Sequence, residues 1–258
     1  MLPRITALVS TSLLVLSAST PGGSQQSGGT TVNYTASLGN STQCLNEINA
    51  AREAAGLSDF AEAINTNKLP SPGSDPLTED SEWLKLCKHL VPTKEASDQV
   101  ESHADSPFKD GTYAFKSLTS EQPDCKSIVD SWKAAFKNFT GLPPSQNQAA
   151  GLYDNQDNVS FVALYNPQST ATADCQVATC TKTTSAAPST LSDSSVPTPE
   201  KGYALLCKTM PTAFQNAETA PFTQDQWNMI TSSLTGSTTT AGPQLIIFVT
   251  VALGMMTL

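Results

Sequence analysis

Cys175-Gln-Val-Ala-Thr-Cys-Thr181 and Tyr203-Ala-Leu-Leu-Cys207 are the two stretches that decide the fold of this chain. Both are rich in residues that suit strands, and a polar stretch separates them, so the second is expected to return beside the first. Asn158-Val-Ser-Phe-Val-Ala-Leu-Tyr165 is apolar in both of its alternating sets. That pattern predicts a central strand that is covered on both faces. With Tyr113-Ala-Phe115 as a further short strand, the chain is predicted to form a small antiparallel sheet.

Four amphipathic helices are predicted around this sheet. Their inward residues recur at helical spacing: Leu45, Ile48, Ala51 and Ala55; Trp83, Leu86, Cys87 and Leu90; Ile128, Val129, Trp132, Phe136 and Phe139; Trp227 and Ile230. Asp124 is placed to cap the third helix, and Thr223-Gln-Asp-Gln226 forms a capping box for the last. Helices and strands are mixed along the chain, which predicts an α+β fold with helices on both faces of the sheet.

The six cysteines are expected to form three disulfides and to leave no free thiol: Cys44, Cys87, Cys125, Cys175, Cys180 and Cys207. A zinc site would need closely paired cysteines or histidines, and only Cys175 and Cys180 are near each other in sequence. These two are expected to pair locally across a tight turn. Cys207 would then join Cys44, Cys87 or Cys125, and the spacing leaves that choice open.

Both ends of the chain carry export signals. Residues 1–20 combine Arg4 with an apolar run and small residues, which predicts a secretory signal peptide. Residues 21–41 are rich in Gly, Ser and Thr and are expected to be a flexible arm. A single disulfide-stapled ectodomain is expected at 42–235, with a low-complexity exposed loop at 181–201.

Residues 236–258 are expected to be the signal for a glycosylphosphatidylinositol (GPI) anchor and to be removed. Small residues precede a short polar spacer and the apolar stretch Leu245-Ile-Ile-Phe-Val-Thr-Val-Ala-Leu-Gly-Met-Met-Thr-Leu258. The alternatives are a spanning helix, for which this stretch is short, and a buried terminal element. The candidate attachment residues are small and lie ahead of the spacer: Ser232, Ser233, Gly236 and Ser237. An anchor there would place the protein on the extracellular face of the plasma membrane.

Glycosylation motifs and net charge limit the classes of partner that are expected. Four sequons offer candidate glycosylation sites at Asn33, Asn40, Asn138 and Asn158. The formal net charge is −9, without a basic patch that interleaves aromatics, so nucleic acid is not an expected partner.

Catalytic chemistry is not expected, and no cofactor or metal is expected. The histidines are His89 and His103, and neither has the sequence context of a nucleophile–base pair. Glu101-x-His103-x-Asp105 could form a loose cation site, although solvated charge is the better interpretation. Trp83, Trp132 and Trp227 lie on inward helix faces and are expected in the core.

Several stretches together resemble the coccidian (Eimeria-type) surface antigens, in order along residues 44–234: Leu45-Asn-Glu-Ile-Asn-Ala-Ala-Arg52, Asp124-Cys125, Val129-Asp-Ser-Trp132, Phe161-Val-Ala-Leu-Tyr-Asn-Pro167, Ala173-Asp-Cys175, Leu206-Cys207-Lys208, Pro221-Phe222-Thr223 and Gln226-Trp227. The resemblance implies a non-enzymatic, GPI-anchored antigen of an apicomplexan parasite, acting in host-cell attachment or immune modulation. Its expected partners are a host-cell surface protein or glycan and host antibodies, and the protein is expected to be a monomer.

A more distant resemblance is to the CAP superfamily of cysteine-rich secretory proteins, which implies a three-layer α-β-α sandwich. Asn49 and Arg52 match its first-helix N-x2-R pattern, and Cys175-x4-Cys180 resembles its closing hairpin. Where that superfamily carries a metal-site Glu and His, this chain has Ala135 and Ser160. Two alternative functions follow from the likeness: a lipid or sterol carrier with an apolar groove between helix and sheet, and a degenerate metal-dependent hydrolase.

Overall fold

The structure is a computed structural model that describes residues 31–93, 108, 110–185 and 198–236. The predicted signal peptide, residues 21–30 of the predicted arm, the Glu101–Asp105 stretch and the apolar tail lie outside the described residues. Among the residues described, no helix is long and apolar enough to cross a membrane.

Five strands and six helices make up the described chain. The strands are β1 (Thr31–Leu38), β2 (Ala61–Glu62), β3 (Thr112–Leu118), β4 (Thr172–Ser185) and β5 (Glu200–Met210). The helices are α1 (Leu45–Ala54), α2 (Glu82–Leu90), α3 (Cys125–Ala134), α4 (Ala150–Tyr153), α5 (Gln156–Leu164) and α6 (Gln224–Thr235), with short 3-10 turns at Asn65–Asn67 and Ala135–Asn138.

The sheet has the order β1-β4-β5-β3, and all of these neighbours are antiparallel. The short β2 adds a parallel pairing to the start of β4. β4 and β5 are the two stretches that opened the sequence analysis, extended at both ends, and their register sets Cys175 opposite Cys207. The predicted small antiparallel sheet is therefore confirmed.

Helices cover both faces of this sheet because β4 and β5 are apolar on both. Cys175 and Val177 of β4 face a core that α1, α3, α5 and α6 complete, with Trp132 and Trp227 at its centre. Ala178 and Cys180, on the opposite face of β4, contact a second core that is closed by α2 and its Trp83. The α+β class with helices on both faces is confirmed, and all three tryptophans are buried as predicted.

Residues 158–165 contradict the strand prediction, because they belong to α5 and its C-cap. Every residue from Ser160 to Tyr165 is at most 1% exposed. A helix that is buried on all sides has the same uninterrupted apolar run as a central strand, so periodicity alone cannot separate the two. Asn155 settles the local conformation by capping the helix, since its side chain accepts a hydrogen bond from the backbone N–H of Asp157 at 2.9 Å.

The predicted flexible arm at 21–41 is wrong for residues 31–38, which form edge strand β1. Eight consecutive residue pairs join β1 to β4, from Thr31 opposite Ser185 to Leu38 opposite Ala178. Tyr34 fixes the strand to the second core, because its hydroxyl donates to the Val91 carbonyl at 2.8 Å. The polar composition of an exposed edge strand hid this element from the sequence analysis.

The predicted loop at 181–201 is shorter than expected. Residues 181–185 continue β4, and residues 200–201 already belong to β5. Lys182 is buried here, where it pairs with Glu200 at 2.9 Å and donates to the Pro92 carbonyl at 3.0 Å. Residues 186–197 lie outside the described residues.

All six cysteines are paired in three disulfides, as predicted: Cys44–Cys125, Cys87–Cys180 and Cys175–Cys207. The expected local pair Cys175–Cys180 is wrong. Both residues lie in the continuous strand β4, and an odd separation along a strand places their side chains on opposite faces. Cys180 consequently reaches α2, while Cys175 meets its register partner on β5.

Candidate functional site

The sequon asparagines divide into exposed and buried sites. Asn33 and Asn40 are exposed, and Asn138 is exposed although its amide donates to the Asn158 side chain at 2.7 Å. Asn158 is only 2% exposed, and its Nδ2 donates to the Leu152 carbonyl at 2.7 Å. A glycan is attached through that same nitrogen, so the folded domain has no room for one at Asn158. The buried position therefore argues against Asn158 as a glycosylation site.

Of the candidate attachment residues that the structure describes, two lie in the last turn of α6 and one directly follows it. Ser232 and Ser233 are inside the helix, where their hydroxyls donate to the carbonyls of Asn228 at 2.8 Å and Ile230 at 2.7 Å. Gly236 follows the helix as its C-cap in a left-handed conformation, with φ of 66°, and is exposed. Ser237 lies outside the described residues.

An open groove of about 580 Å³ lies beside this helix end. It runs between the C-terminal end of α1 and α6, and is lined by Ala54, Ala55, Gly56, Asn228, Met229, Ser232, Ser233 and Gly236. The lining is mostly small and apolar, and Met229 is 41% exposed within it. We call it the α1–α6 groove.

A second groove of about 540 Å³ lies at the other end of α1. It is lined by Gly39, Asn40, Gln43, Glu121, Gln122, Pro123, Cys125 and Val177. The Cys44–Cys125 disulfide fixes the two connections that form this groove. Its polar amide and carboxylate side chains offer hydrogen bonds, in contrast with the α1–α6 groove.

Arg52 is the most deeply buried cation among the described residues, at 1% exposure. Its guanidinium donates to the carbonyls of Ser58 at 2.8 Å, Leu164 at 3.0 Å and Asn166 at 2.9 Å. It also lies 3.6 Å from the centre of the Phe60 ring. Burial lowers the pKa of Arg52 to about 10, and the nearby Asp59 carboxylate opposes that change. All of these contacts are internal, so Arg52 holds α1 to the end of α5.

The sequence analysis placed Asn49 and Arg52 in a shared pattern but missed their structural role. Asn49 accepts from the Phe60 backbone N–H at 2.9 Å and donates to the Phe60 carbonyl at 3.2 Å. The two side chains thus clamp the chain where it leaves α1. The spacing of Arg52 four residues after the buried Ile48 could have shown that it faces the core.

The residues weighed for a catalytic or metal site either make structural contacts or lie exposed on the surface. Ser160 accepts from the Phe115 N–H at 3.1 Å and donates to the Gln156 carbonyl at 2.8 Å, and Ala135 is buried. His89 is exposed and its ring meets that of Phe115 at 6.0 Å. In the part of the chain that the structure describes, no three His, Cys, Asp or Glu residues form a group able to hold a metal ion.

The interface between the helices and the sheet, where a carrier would need its groove, is filled by side chains in the described domain. Trp132 is fully buried and its indole N–H donates to the Phe115 carbonyl at 3.0 Å. Phe161 is also fully buried and contacts the rings of Phe139, Tyr165 and Trp227 at 5.1 to 6.1 Å.

Comparison with known proteins places the chain in a family. The sporozoite surface antigen (SAG) protein domain matches residues 40–249, which includes α1 to α6 and all six cysteines. The "Sporulated oocyst TA4 antigen" of Eimeria tenella is 26% identical over 210 residues, which cover 74% of each protein. No solved structure matches the chain, so the likeness to the CAP sandwich stays a prediction. Since the family match spans most of its length, the chain belongs to the sporozoite surface antigen family of apicomplexan parasites, whose members lie at the cell surface.

Proposed function

We propose that this protein is a non-enzymatic surface antigen, held on the extracellular face of the plasma membrane by a GPI anchor. The folded domain presents exposed chain segments to a host-cell surface protein or glycan and to host antibodies. Its role is host-cell attachment, immune modulation or both.

The observation that carries this proposal is the way the three disulfides join the layers of a surface-antigen domain. Cys44–Cys125 joins α1 to α3, Cys87–Cys180 joins α2 to the sheet, and Cys175–Cys207 joins the two central strands. Such bonds persist in the oxidising space outside a cell. They limit the unfolded ensemble of a domain that must hold its shape while exposed to host proteases.

The proposed contact surface is the end of the sheet that lies far from α6. From the α1–α6 groove, α1 leads into β2, which pairs with β4 at Thr172. Ser185 lies about 40 Å further along β4 at the usual rise of a strand. Thr31, Val32 and Asn33 of β1 are exposed beside it. An anchor at the end of α6 would leave this strand end accessible from the host side.

Many copies on one membrane would strengthen a weak individual contact, because a bound copy raises the effective concentration of its neighbours. Host attachment therefore predicts binding that depends steeply on surface density. A single soluble domain is expected to bind much more weakly than the same domain displayed in an array.

The test begins with the full chain expressed on a eukaryotic cell. Treatment with phosphatidylinositol-specific phospholipase C should release the antigen from the surface, and a surface signal that resists the enzyme would refute the lipid anchor. The released protein is then displayed on beads at several densities and incubated with host cells. Saturable binding that rises steeply with density supports attachment, and no binding at the highest density refutes it.

A contact variant sharpens this test. Val32→Lys places a charge on the exposed strand end, where the side chain is 37% exposed in the wild type. Met229→Lys is the matched control, because Met229 is similarly exposed at 41% but lies beside the proposed anchor point. Val32→Lys is expected to weaken host-cell binding and Met229→Lys to leave it unchanged. Equal binding by the two variants would show that the strand end is not the contact surface.

A further inference from the structure

We infer that the anchor is joined to the chain at Gly236. This inference rests on the proposed function, because it assigns the residue at which the proposed GPI anchor is attached. The attachment enzyme would break the peptide bond between Gly236 and Ser237 and form an amide between the Gly236 carbonyl and the ethanolamine amine of the lipid. Residues 237–258 would leave with a free N-terminal amine, so the removed segment begins one residue later than the 236–258 expected from the sequence. Ser232, Ser233 and Gly236 differ in how attachment at each of them would affect α6.

Attachment at Ser232 or Ser233 would remove the last turn of α6. That turn includes Leu234, which packs against the core next to the fully buried Ile230. The Ser233 hydroxyl also donates to the Ile230 carbonyl within the helix. Loss of Leu234 would uncover apolar surface that the folded domain buries, and both serine carbonyls lie in helical backbone that would have to unwind before an enzyme could reach them.

Gly236 has neither disadvantage, because α6 ends at Thr235 before it. Its φ of 66° is the left-handed conformation that commonly terminates helices and favours glycine. The residue is exposed, and a side-chain carbon added to it would meet no atom of the described residues within 4 Å. The complete helix can therefore stay folded while its next residue is open to an enzyme and then to a bulky ethanolamine phosphate.

The small residues that an anchor signal requires independently favour the same residue. Such a signal has small residues at the attachment site and at the two positions after it, ahead of a polar spacer and an apolar tail. Gly236 is followed by Ser237 and Thr238, whereas Leu234 falls within that window for both Ser232 and Ser233. Ser237 shares the small-residue pattern but leaves a polar stretch one residue shorter before Leu245. Gly236 therefore agrees with both the small-residue pattern and the structure.

The decisive experiment maps the C-terminus of the released protein. The full chain is expressed on cells, released with phospholipase C, dephosphorylated with hydrofluoric acid and digested before aspartate. The inference predicts a peptide Asp225–Gly236 that carries a C-terminal ethanolamide by mass spectrometry. An ethanolamide on Ser232, Ser233, Ser237 or a later residue overturns the assignment while leaving the anchor in place. A surface chain that resists the phospholipase and yields no ethanolamide overturns the proposed function as well.

A pair of variants adds a second readout. Gly236→Leu puts a large residue at the assigned site, and phospholipase-releasable surface protein is expected to fall to background. Gly73→Leu is the matched control, because Gly73 also has positive φ, at 85°, and no atom of the described chain lies within 4 Å of an added side-chain carbon. Both variants carry the same type of backbone strain, of about 1–2 kcal/mol. Equal surface levels of releasable protein for the two variants would overturn the assignment.

Discussion

Replacing Arg52 with methionine tests how the helix layer is held together. Methionine keeps most of the side-chain length and apolar volume but removes the guanidinium. The carbonyls of Leu164 and Asn166 would lose their hydrogen-bond donor, and both residues are at most 1% exposed. The Ser58 carbonyl loses its donor too, but Ser58 is exposed and water can replace the bond.

The cost of this change can be worked from these contacts. Each buried carbonyl left without a donor costs about 1–3 kcal/mol, and the lost contact with the Phe60 ring adds about 1 kcal/mol. The variant also removes the cost of burying the Arg52 charge, which is the cause of its lowered pKa, and this offsets part of the loss in stability. The expected loss in the free energy of unfolding is about 3–5 kcal/mol. For a domain of this size that corresponds to a fall in Tm of about 10 °C.

The assay is denaturant and thermal unfolding of the secreted protein with its disulfides intact. Lys85→Met is the control, because Lys85 is 70% exposed and its ion pair with Glu82 lies on the surface of α2. The control is expected to change the free energy of unfolding by less than about 0.5 kcal/mol. If Arg52→Met destabilised the domain no more than Lys85→Met, the guanidinium would not be holding α1 to α5 and the reasoning would fail.

Three further predictions follow from the glycan sites, the disulfides and the partly buried Tyr153. In a glycosylating host, Asn33→Gln is expected to lower the mass by one glycan on a gel. Asn158→Gln is expected to leave the mass unchanged and to lower Tm, because the hydrogen bonds of the Asn158 side-chain amide with Asn138 and Leu152 are lost. A glycan mapped to Asn158 would contradict the buried position. A protease site inserted between β4 and β5 should give two fragments that are held together by Cys175–Cys207. On a denaturing gel these fragments are expected to separate only after reduction. In the double variant that replaces both of these cysteines with alanine, the fragments are expected to separate without reductant. Burial raises the pKa of Tyr153 from 10.0 to about 12, so between these pH values the unfolded chain binds fewer protons than the folded one and stability should fall as the pH rises; tyrosinate absorbance that rises at the same pH in native and denatured protein would disprove this.

Helices with one apolar face were predictable because their capping residues and spacing agree. Asp124 caps α3 by accepting from the Ser127 N–H at 3.1 Å, as predicted. The capping box of α6 is also present, with Thr223 and Gln226 bonding reciprocally. In such segments local hydrogen bonding and core packing favour the same conformation, so the sequence pattern is enough to find them.

Elements whose conformation depends on distant neighbours could not be predicted in this way. Beyond its first turn α5 is buried on every side, so no polar face shows its helical period. β1 is a strand because β4 offers it partners at least 140 residues later in the chain, from Ala178 opposite Leu38 to Ser185 opposite Thr31. The disulfide partners of Cys175 and Cys180 were misjudged for the same reason, since the length of β4 decides which face each one occupies.

The candidate site was predictable in outline but not to the residue. Composition placed the candidate attachment residues between Ser232 and Ser237, because small residues ahead of a polar and then an apolar stretch are visible in the sequence. The end of α6 is not visible there, since Thr, Ser and Leu continue at helical spacing up to Thr235. A folded structure was needed to show that the serines belong to the helix and that Gly236 follows it.

The helix next to the proposed anchor is joined to the rest of the domain without a covalent crosslink. α6 contains no cysteine, whereas each disulfide joins elements that precede it in the chain. Its hold on the domain comes from Trp227 and Ile230, which are 5% and 0% exposed, and from ring contacts of Trp227 with Phe136 at 5.5 Å and Phe222 at 6.3 Å. An anchored domain whose α6 is packed in this way would keep a fixed orientation, because the membrane-linked residue directly follows a helix that is part of the core. Were α6 to detach, the lipid would still retain the protein but no longer orient the far end of β4 toward the host. With the proposed anchor, the packing of α6 would therefore matter for presentation as well as for stability.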